Sequence, residues 1–435
     1  MRKASTLVAP TKPLRADAMA SRPVVILCQF LFPEMNATGE LLTSLGTGLA
    51  GRGMTVTAYA AQPSYFGVTR VVPRLEHDGM VIRRLWSTHL GRRSKIARII
   101  DGATFMLRMI AEIPRFPRGA VVLAVTNPPL LPFVGALRRL LYGSPLVIIV
   151  HDVYPEIAVR LGALKKNGLG HRSLRLLDRF SLSQADTIVV LGRDMASELA
   201  AKFKPGGHCP IVTIPNWADP TRISPMPKAS SPIAQREGLL GKFVVQYSGN
   251  LGMSQGLETV LSAAEKLLDA DVLFTLVGDG THASALKETV EREQLTNVRF
   301  LARVEPTRLA DSLAACDAAL VSLSASAVGL SVPSKFYGIL ASGRPVIAVM
   351  PAHGEVARSV VEHGCGVVVP PNDPAALVTA IRRLSADHDL VRRMGVNARV
   401  AFERLYTRER ALAAYERVLA TLRKKPVNSD TAEAL

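Results

Sequence analysis

Apolar runs of strand length recur along the chain, separated by amphipathic stretches long enough for helices. Residues 24–30, Val-Val-Ile-Leu-Cys-Gln-Phe, lead into a polar loop at 32–39, a helical stretch at 40–51 and a second apolar run at 55–60. Strand, helix and strand in that order predict a parallel sheet with helices on its faces, because parallel neighbours need a crossover between them. The same alternation predicts strands at 121–125, 146–150, 187–191 and 211–214, so the first part of the chain reads as a doubly wound α/β unit.

Between 220 and 232 the composition shifts to Pro, Ser and Lys, as in a linker. A second series follows, with strands at 243–247, 273–277, 299–301, 318–321, 345–349 and 366–369 and helices such as 256–268 and 282–293. The fold class is therefore α/β with two doubly wound Rossmann-like domains, at 23–220 and 236–425, joined by a linker at 221–235. Ligands of open α/β sheets bind outside the carboxyl ends of the strands, which places the site in a central cleft where the two domains face each other. Residues 1–22 mix Lys, Arg, Pro and Asp without an apolar stretch and read as a flexible leader, not a secretory signal. At the other end 402–424 reads as charged amphipathic helix that can pack back on the first domain, and 426–435 as a disordered tail.

A length of 435 residues supports this division, since single cores stop growing beyond about 250–300 residues. The four cysteines, Cys28, Cys209, Cys316 and Cys365, are far apart and lack Cys-x-x-Cys spacing, which argues against a zinc site and a disulfide scaffold and for a reducing compartment. The longest apolar region, 121–150, is interrupted by Pro128-Pro129, Arg138-Arg139 and Gly143-Ser144-Pro145, so it reads as strand, helix and strand and not as a membrane span.

A net charge of +17 asks for an anionic partner. Arg83, Arg84, Arg92, Arg93, Lys95, Arg98, Arg108, Arg115 and Arg118 are opposed only by Asp101 and Glu112 and interleave with Ile96, Ile99, Ile100, Phe105, Met106, Leu107, Met109 and Ile110. A basic amphipathic helix of this kind lies in a membrane interface, or it packs an apolar stripe on the core with its arginines in water; both readings stand. No nucleic-acid-binding signature accompanies the charge.

Candidate chemistry concentrates at expected strand ends. Gly329-Leu330-Ser331-Val332-Pro333-Ser334-Lys335-Phe336-Tyr337-Gly338 reads as a loop entering a helix near 331–333, where unpaired backbone N–H groups favour an anion and Lys335 adds charge. Gly249-Asn250-Leu251-Gly252-Met253-Ser254-Gln255-Gly256 follows a strand and opens a helix, as a phosphate loop does, although a plain tight turn has the same form. Gly278-Asp279-Gly280 is open to the same two readings. His151-Asp152-Val153-Tyr154-Pro155-Glu156 ends a very apolar strand, so His151 is either an active-site residue or a structural one. Asn216-Trp217-Ala218-Asp219 suits a turn closing the first domain.

Taken in order, these motifs, together with Pro33-Glu34, Asn36-Ala37-Thr38-Gly39-Glu40-Leu41-Leu42, Arg52-Gly53, Gln62-Pro63-Ser64-Tyr65, Ile214-Pro215-Asn216-Trp217 and Arg344-Pro345, resemble the family-four retaining glycosyltransferases over about residues 24 to 420. The branch that builds colanic-acid-like and other bacterial exopolysaccharides is the most similar. The resemblance implies the GT-B fold and transfer of a sugar, with retention, from a nucleoside-diphosphate donor to a saccharide acceptor on a lipid. It also implies that no metal or other cofactor is required. The site residues it implies are His151 and Lys335 as catalytic, with Gly39, Gly249, Asn250, Gln255, Gly278, Gly280, Arg303, Val304, Ser331, Ser334 and Lys335 around the donor.

The chain departs from the family pattern in two places. Asn250 and Gln255 stand where the family has an Arg and a Lys for the diphosphate, and Leu330 and Gly338 where it has two glutamates. Lys335 is then the leading candidate for the missing charge, with Arg303 or Arg344 behind it. The expected location is the cytoplasm, with the segment 83–118 against the inner, anionic face of the plasma membrane. A nucleotide-sugar epimerase on the same fold and a non-catalytic scaffold are the alternative readings.

Overall fold

The computed structural model describes residues 22–34, 36–63, 72–88, 90, 95–203 and 209–423. The expected leader apart from Arg22, the tail at 426–435, Ser64, Tyr65, Arg92 and Arg93 lie outside them.

Among the described residues the first domain is built on eight strands, β1 (Val24–Leu27), β2 (Val56–Ala61), β3 (Arg74–His77), β4 (Met80–Leu85), β5 (Val121–Val125), β6 (Leu146–Val150), β7 (Thr187–Val190) and β8 (Ile211–Thr213), in the order β3-β4-β2-β1-β5-β6-β7-β8. Only the β3–β4 pair is antiparallel. Val24 sits between Val56 and Val121 in register, and every residue of β1, β5 and β6 is buried, which is why these strands read as unbroken apolar runs. Helices α1 (Ala37–Gly51), α2 (Lys95–Glu112), α3 (Leu131–Tyr142), α4 (Glu156–Arg160), α5 (Leu169–Ser183) and α6 (Arg193–Ala200) connect them. Asn36 caps α1, its side chain accepting the Gly39 N–H at 2.7 Å.

The hairpin β3–β4 was not among the expected elements. Its turn is Asp78-Gly79, both with positive φ (46° and 78°), a two-residue loop whose Asp-Gly sequence is a strong hairpin signal. The hairpin also takes Arg84 out of the basic surface. Arg84 is buried, and its guanidinium donates to the carbonyls of Ala61 (2.6 Å), Leu31 (2.8 Å) and Phe32. It tethers the loop after β1 to the end of β2.

The second domain carries six parallel strands, β9 (Phe243–Ser248), β10 (Val272–Val277), β11 (Val298–Leu301), β12 (Ala318–Ser322), β13 (Val346–Val349) and β14 (Gly366–Val369), in the order β11-β10-β9-β12-β13-β14. Its helices are α7 (Pro232–Arg236), α8 (Glu258–Glu265), α9 (Ala283–Arg292), α10 (Leu309–Ala314), α11 (Lys335–Ala341), α12 (Glu355–His363), α13 (Pro374–Ala386) and α14 (His388–Leu405). Arg344 donates to the carbonyls of Met226 (2.6 Å) and Ala314 (2.9 Å), so it fixes the linker to this domain.

The last helix, α15 (Arg408–Arg423), packs on α1: Arg408 donates to Ser44 O at 3.1 Å and Thr47 Oγ1 at 3.0 Å, and Arg52 pairs with Glu416. Gly48 leaves the space that Leu412 fills. The largest apolar core runs from the first sheet through this contact and on to Leu330, Phe336 and Tyr406. Cys28, Cys316 and Cys365 are buried free thiols, each pushed up to about 12 by burial.

Candidate active site

A cleft of about 1180 Å³ opens where the carboxyl ends of the two sheets meet. From the first domain it is lined by the start of α1, the loop after β6 and the turn 217–219; from the second, by the loops after β9, β10, β11 and β12.

The floor is a direct joint between domains. Asp152, just past β6, forms an antiparallel bridge with Ser331, and Val153 N–H donates to Leu330 O at 2.8 Å. Thr126, at the end of β5, clamps the turn: its hydroxyl accepts the His151 N–H (3.1 Å) and donates to Asp152 O (3.1 Å). Burial raises the Asp152 pKa, and the Ser331 hydrogen bond offsets part of that rise. Asp152 lines the cleft and His151 does not, and burial lowers the His151 pKa to about 4.

The bridge explains why the helix at the donor-like loop starts later than expected. Ser331 is committed to the extended joint, so α11 begins at Lys335, with Ser334 at its cap position and seven residues in all. Ser331, Ser334 and Lys335 all line the cleft. Lys335 Nζ lies 3.4 Å from the Tyr247 ring centroid, and among the described residues no carboxylate pairs with it. Burial lowers its pKa to about 7.

The loops after β9 and β10 are zipped together. Gly249 N–H donates to Val277 O, and Leu251 N–H to Asp279 O, each at 2.9 Å. A Cβ at Gly278, whose φ is 137°, would run into the Gly249 carbonyl, and one at Gly280 into that of Leu251. Gly249, Asn250, Gln255 and Gly278 line the cleft, as do Arg303 and Val304; Gly280 and Gly39 do not. Gly39 is shaped by its cap bond and by the Glu34 carbonyl, 2.8 Å from where its Cβ would stand. Gln255 holds its own loop, Oε1 accepting the Gly252 N–H at 3.1 Å. Arg344, spent on the linker, is not in the cleft.

Leu330 is fully buried beneath the joint, so an apolar side chain stands at the position of the family's first glutamate. At Gly338 an added Cβ would touch Ile223 and Leu313 at 3.6 and 3.7 Å, ordinary contact, so crowding does not exclude a side chain. Sequence reasoning missed Thr126, Tyr247, Arg222 and Arg408, and it quoted Glu40 and Trp217 as motif residues without placing them in the cleft wall that they form with the two arginines. Among the described residues no His, Cys, Asp and Glu cluster is suited to hold a metal ion, and no helix is long and apolar enough to cross a membrane.

Residues 38–217 match the model of a glycosyl transferase 4-like domain, and residues 232–401 that of glycosyl transferases group 1. The chain is 38% identical to the probable glycosyltransferase WbjE of Pseudomonas aeruginosa over 286 residues, 66% of this chain and 70% of that protein. It is 28% identical to the putative colanic acid biosynthesis glycosyl transferase WcaI of Escherichia coli K12, over 58% of this chain and 63% of WcaI. In fold it is similar to the sucrose-phosphate synthase of Thermosynechococcus elongatus (TM-score 0.75, 19% identity, 92% of this chain and 99% of that one). It is similar also to Anabaena HepE in complex with UDP and glucose (TM-score 0.70, 17% identity, 92% and 100%). The architecture is GT-B.

Proposed function

Since the chain belongs to the group 1 glycosyltransferases, we propose that it moves a sugar, with retention of anomeric configuration, from a nucleoside diphosphate to a lipid-linked saccharide acceptor. The setting is assembly of a bacterial exopolysaccharide or capsule, a reading supported by the similarity to WcaI. The observation that carries the transfer reaction is Lys335, a cleft-lining amine without a carboxylate partner among the described residues. As the bond from the anomeric carbon to the diphosphate oxygen breaks and one to an acceptor hydroxyl forms, charge grows on the leaving diphosphate. Protonated, the Lys335 amine lowers that barrier, and an arriving anion favours its protonated form.

The donor's base and ribose are assigned to the wall of Gly278, Arg303 and Val304, its diphosphate to Gly249, Ser334 and Lys335, and the acceptor to the wall of Glu40, Trp217 and Arg222. His151 is assigned a place near the transferred sugar, on the side of the first domain. No metal is part of this reading, because Lys335 supplies the charge. The enzyme works in the cytoplasm against the inner face of the plasma membrane, docked through 83–118. The exposure of Trp86, Ile99 and Leu107 in that segment supports docking, as does its excess of arginine.

A thermal-shift panel of nucleotide sugars tests the donor, since a ligand bound only by the folded state raises its melting temperature. UDP-glucose heads the panel because HepE is bound to UDP and glucose in its structure. The expected result is stabilisation by one donor class and release of nucleoside diphosphate that depends on a lipid-linked acceptor. Isomerisation of free donor would instead reveal an epimerase, and binding without turnover a scaffold.

A further inference from the structure

We infer that Tyr247 is the positioning residue for Lys335, its ring holding the amine at the carboxyl end of β9 where the donor's diphosphate arrives. The inference rests on the donor reading above and adds a residue to it. Lys335 Nζ stands 3.4 Å from the centroid of the Tyr247 ring, well inside the roughly 6 Å over which a ring face attracts a cation. The ring itself cannot drift. Tyr247 is 1% exposed, β9 lies between β10 and β12 in the sheet, and its hydroxyl donates to Asn250 O at 2.8 Å.

Gly249 closes the other side. A Cβ there would lie 2.8 Å from Lys335 Nζ and 3.1 Å from its Cε, so glycine leaves the space that the lysine end occupies. The amine is therefore held between an aromatic face and a bare backbone. No carboxylate among the described residues pairs with it, so an arriving anion has no ion pair to displace. A ring suits this task better than an acid: it favours the cation without neutralising it. The ordinary alternative is that Tyr247 only fills the core beneath the loop, and the two roles separate in a mutant cycle.

The experiment measures the affinities of UDP, GDP and ADP by calorimetry for the wild type, Tyr247→Phe, Tyr247→Leu, Lys335→Met and the Leu/Met double variant. Tyr247→Phe keeps the ring and is expected to bind nearly as the wild type does. Tyr247→Leu should weaken binding of the preferred nucleotide by about 2- to 30-fold. In the Lys335→Met background the same leucine should change affinity by less than about twofold, because a residue that acts through the lysine has nothing left to act on. Should Tyr247→Leu fail to fold, phenylalanines carrying one, two and three ring fluorines at this position drain the ring face at nearly constant shape, and affinity should fall stepwise. Equal losses in both lysine backgrounds, or no response to fluorination, would overturn the inference while leaving the donor reading intact. A wild type that binds none of the three nucleotides would overturn both.

Discussion

Asp194 and Glu355 cap each other's helices across the domain boundary. Asp194 Oδ2 accepts the N–H of Glu355, the first residue of α12, at 3.0 Å, and Glu355 Oε2 accepts the N–H of Arg193, the first residue of α6, at 2.7 Å. Each acid thus meets the positive end of a helix from the other domain. Arg193 also donates to both Glu355 and Glu362, and a Cβ at Gly192 would stand 2.8 Å from that of Glu355.

Glu355→Ala removes one cap and one arginine partner. A loss of about 1–2 kcal/mol is expected from the cap, together with a larger radius of gyration in small-angle scattering as the domains part. An unchanged melting point and radius would show that other contacts hold them.

Acid should loosen the same joint. Hydrogen bonding from Arg193 holds the Glu362 carboxyl below its ordinary 4.5, so its contribution is complete above that value and lost as pH falls through the depressed one. With the carboxyl 46% exposed the effect is small. A stability profile from pH 6 to 3 should therefore be slightly steeper for the wild type than for Glu362→Gln.

Lys335→Met should weaken transfer by about 2–4 kcal/mol in kcat/KM, the range for one preorganised electrostatic contact. The same variant has a stability signature in the empty enzyme. Burial holds the Lys335 pKa at about 7 against an ordinary 10.5, so between those values the unfolded chain binds the extra proton and wild-type stability rises with pH. That component should vanish in Lys335→Met.

His151→Ala is expected to lower turnover by about 10²-fold with a melting point near that of the wild type. Because burial lowers the His151 pKa to about 4, kcat should show no acidic limb near pH 6.5 from this residue. A large loss of stability with normal specific activity would assign His151 to the framework.

Anionic liposomes should co-sediment the protein in a manner that salt weakens without abolishing, while neutral liposomes recover little. Replacing the exposed Ile99 and Leu107 with Ser should reduce the salt-resistant part. Equal recovery on both lipids would sink the docking reading.

The periodic parts of the fold were readable because fully buried parallel strands are unbroken apolar runs: the expected 121–125 and 146–150 coincide with β5 and β6. Less accessible were features fixed by distant partners. Arg84 looks like one more surface charge until three carbonyls from β2 and the loop after β1 are seen around it. Ser331 delays α11 because of Asp152, a residue far away in sequence. Tyr247 reads as an apolar strand position, and only the fold brings Lys335 over its ring. The β3–β4 hairpin is different: Asp78-Gly79 announced it, but its short, charged edge strand hid the alternation.

The return of α15 to the first domain means that the polypeptide crosses between domains twice. The crossings run side by side, Ala218 bridged to Thr407 and its N–H donating to Tyr406 O at 3.1 Å. Paired in this way, the two crossings brace each other, so the covalent tie between the domains is a double one. A protease that nicked only the first crossing would leave both halves attached, and the molecule would come apart only when both crossings were cut.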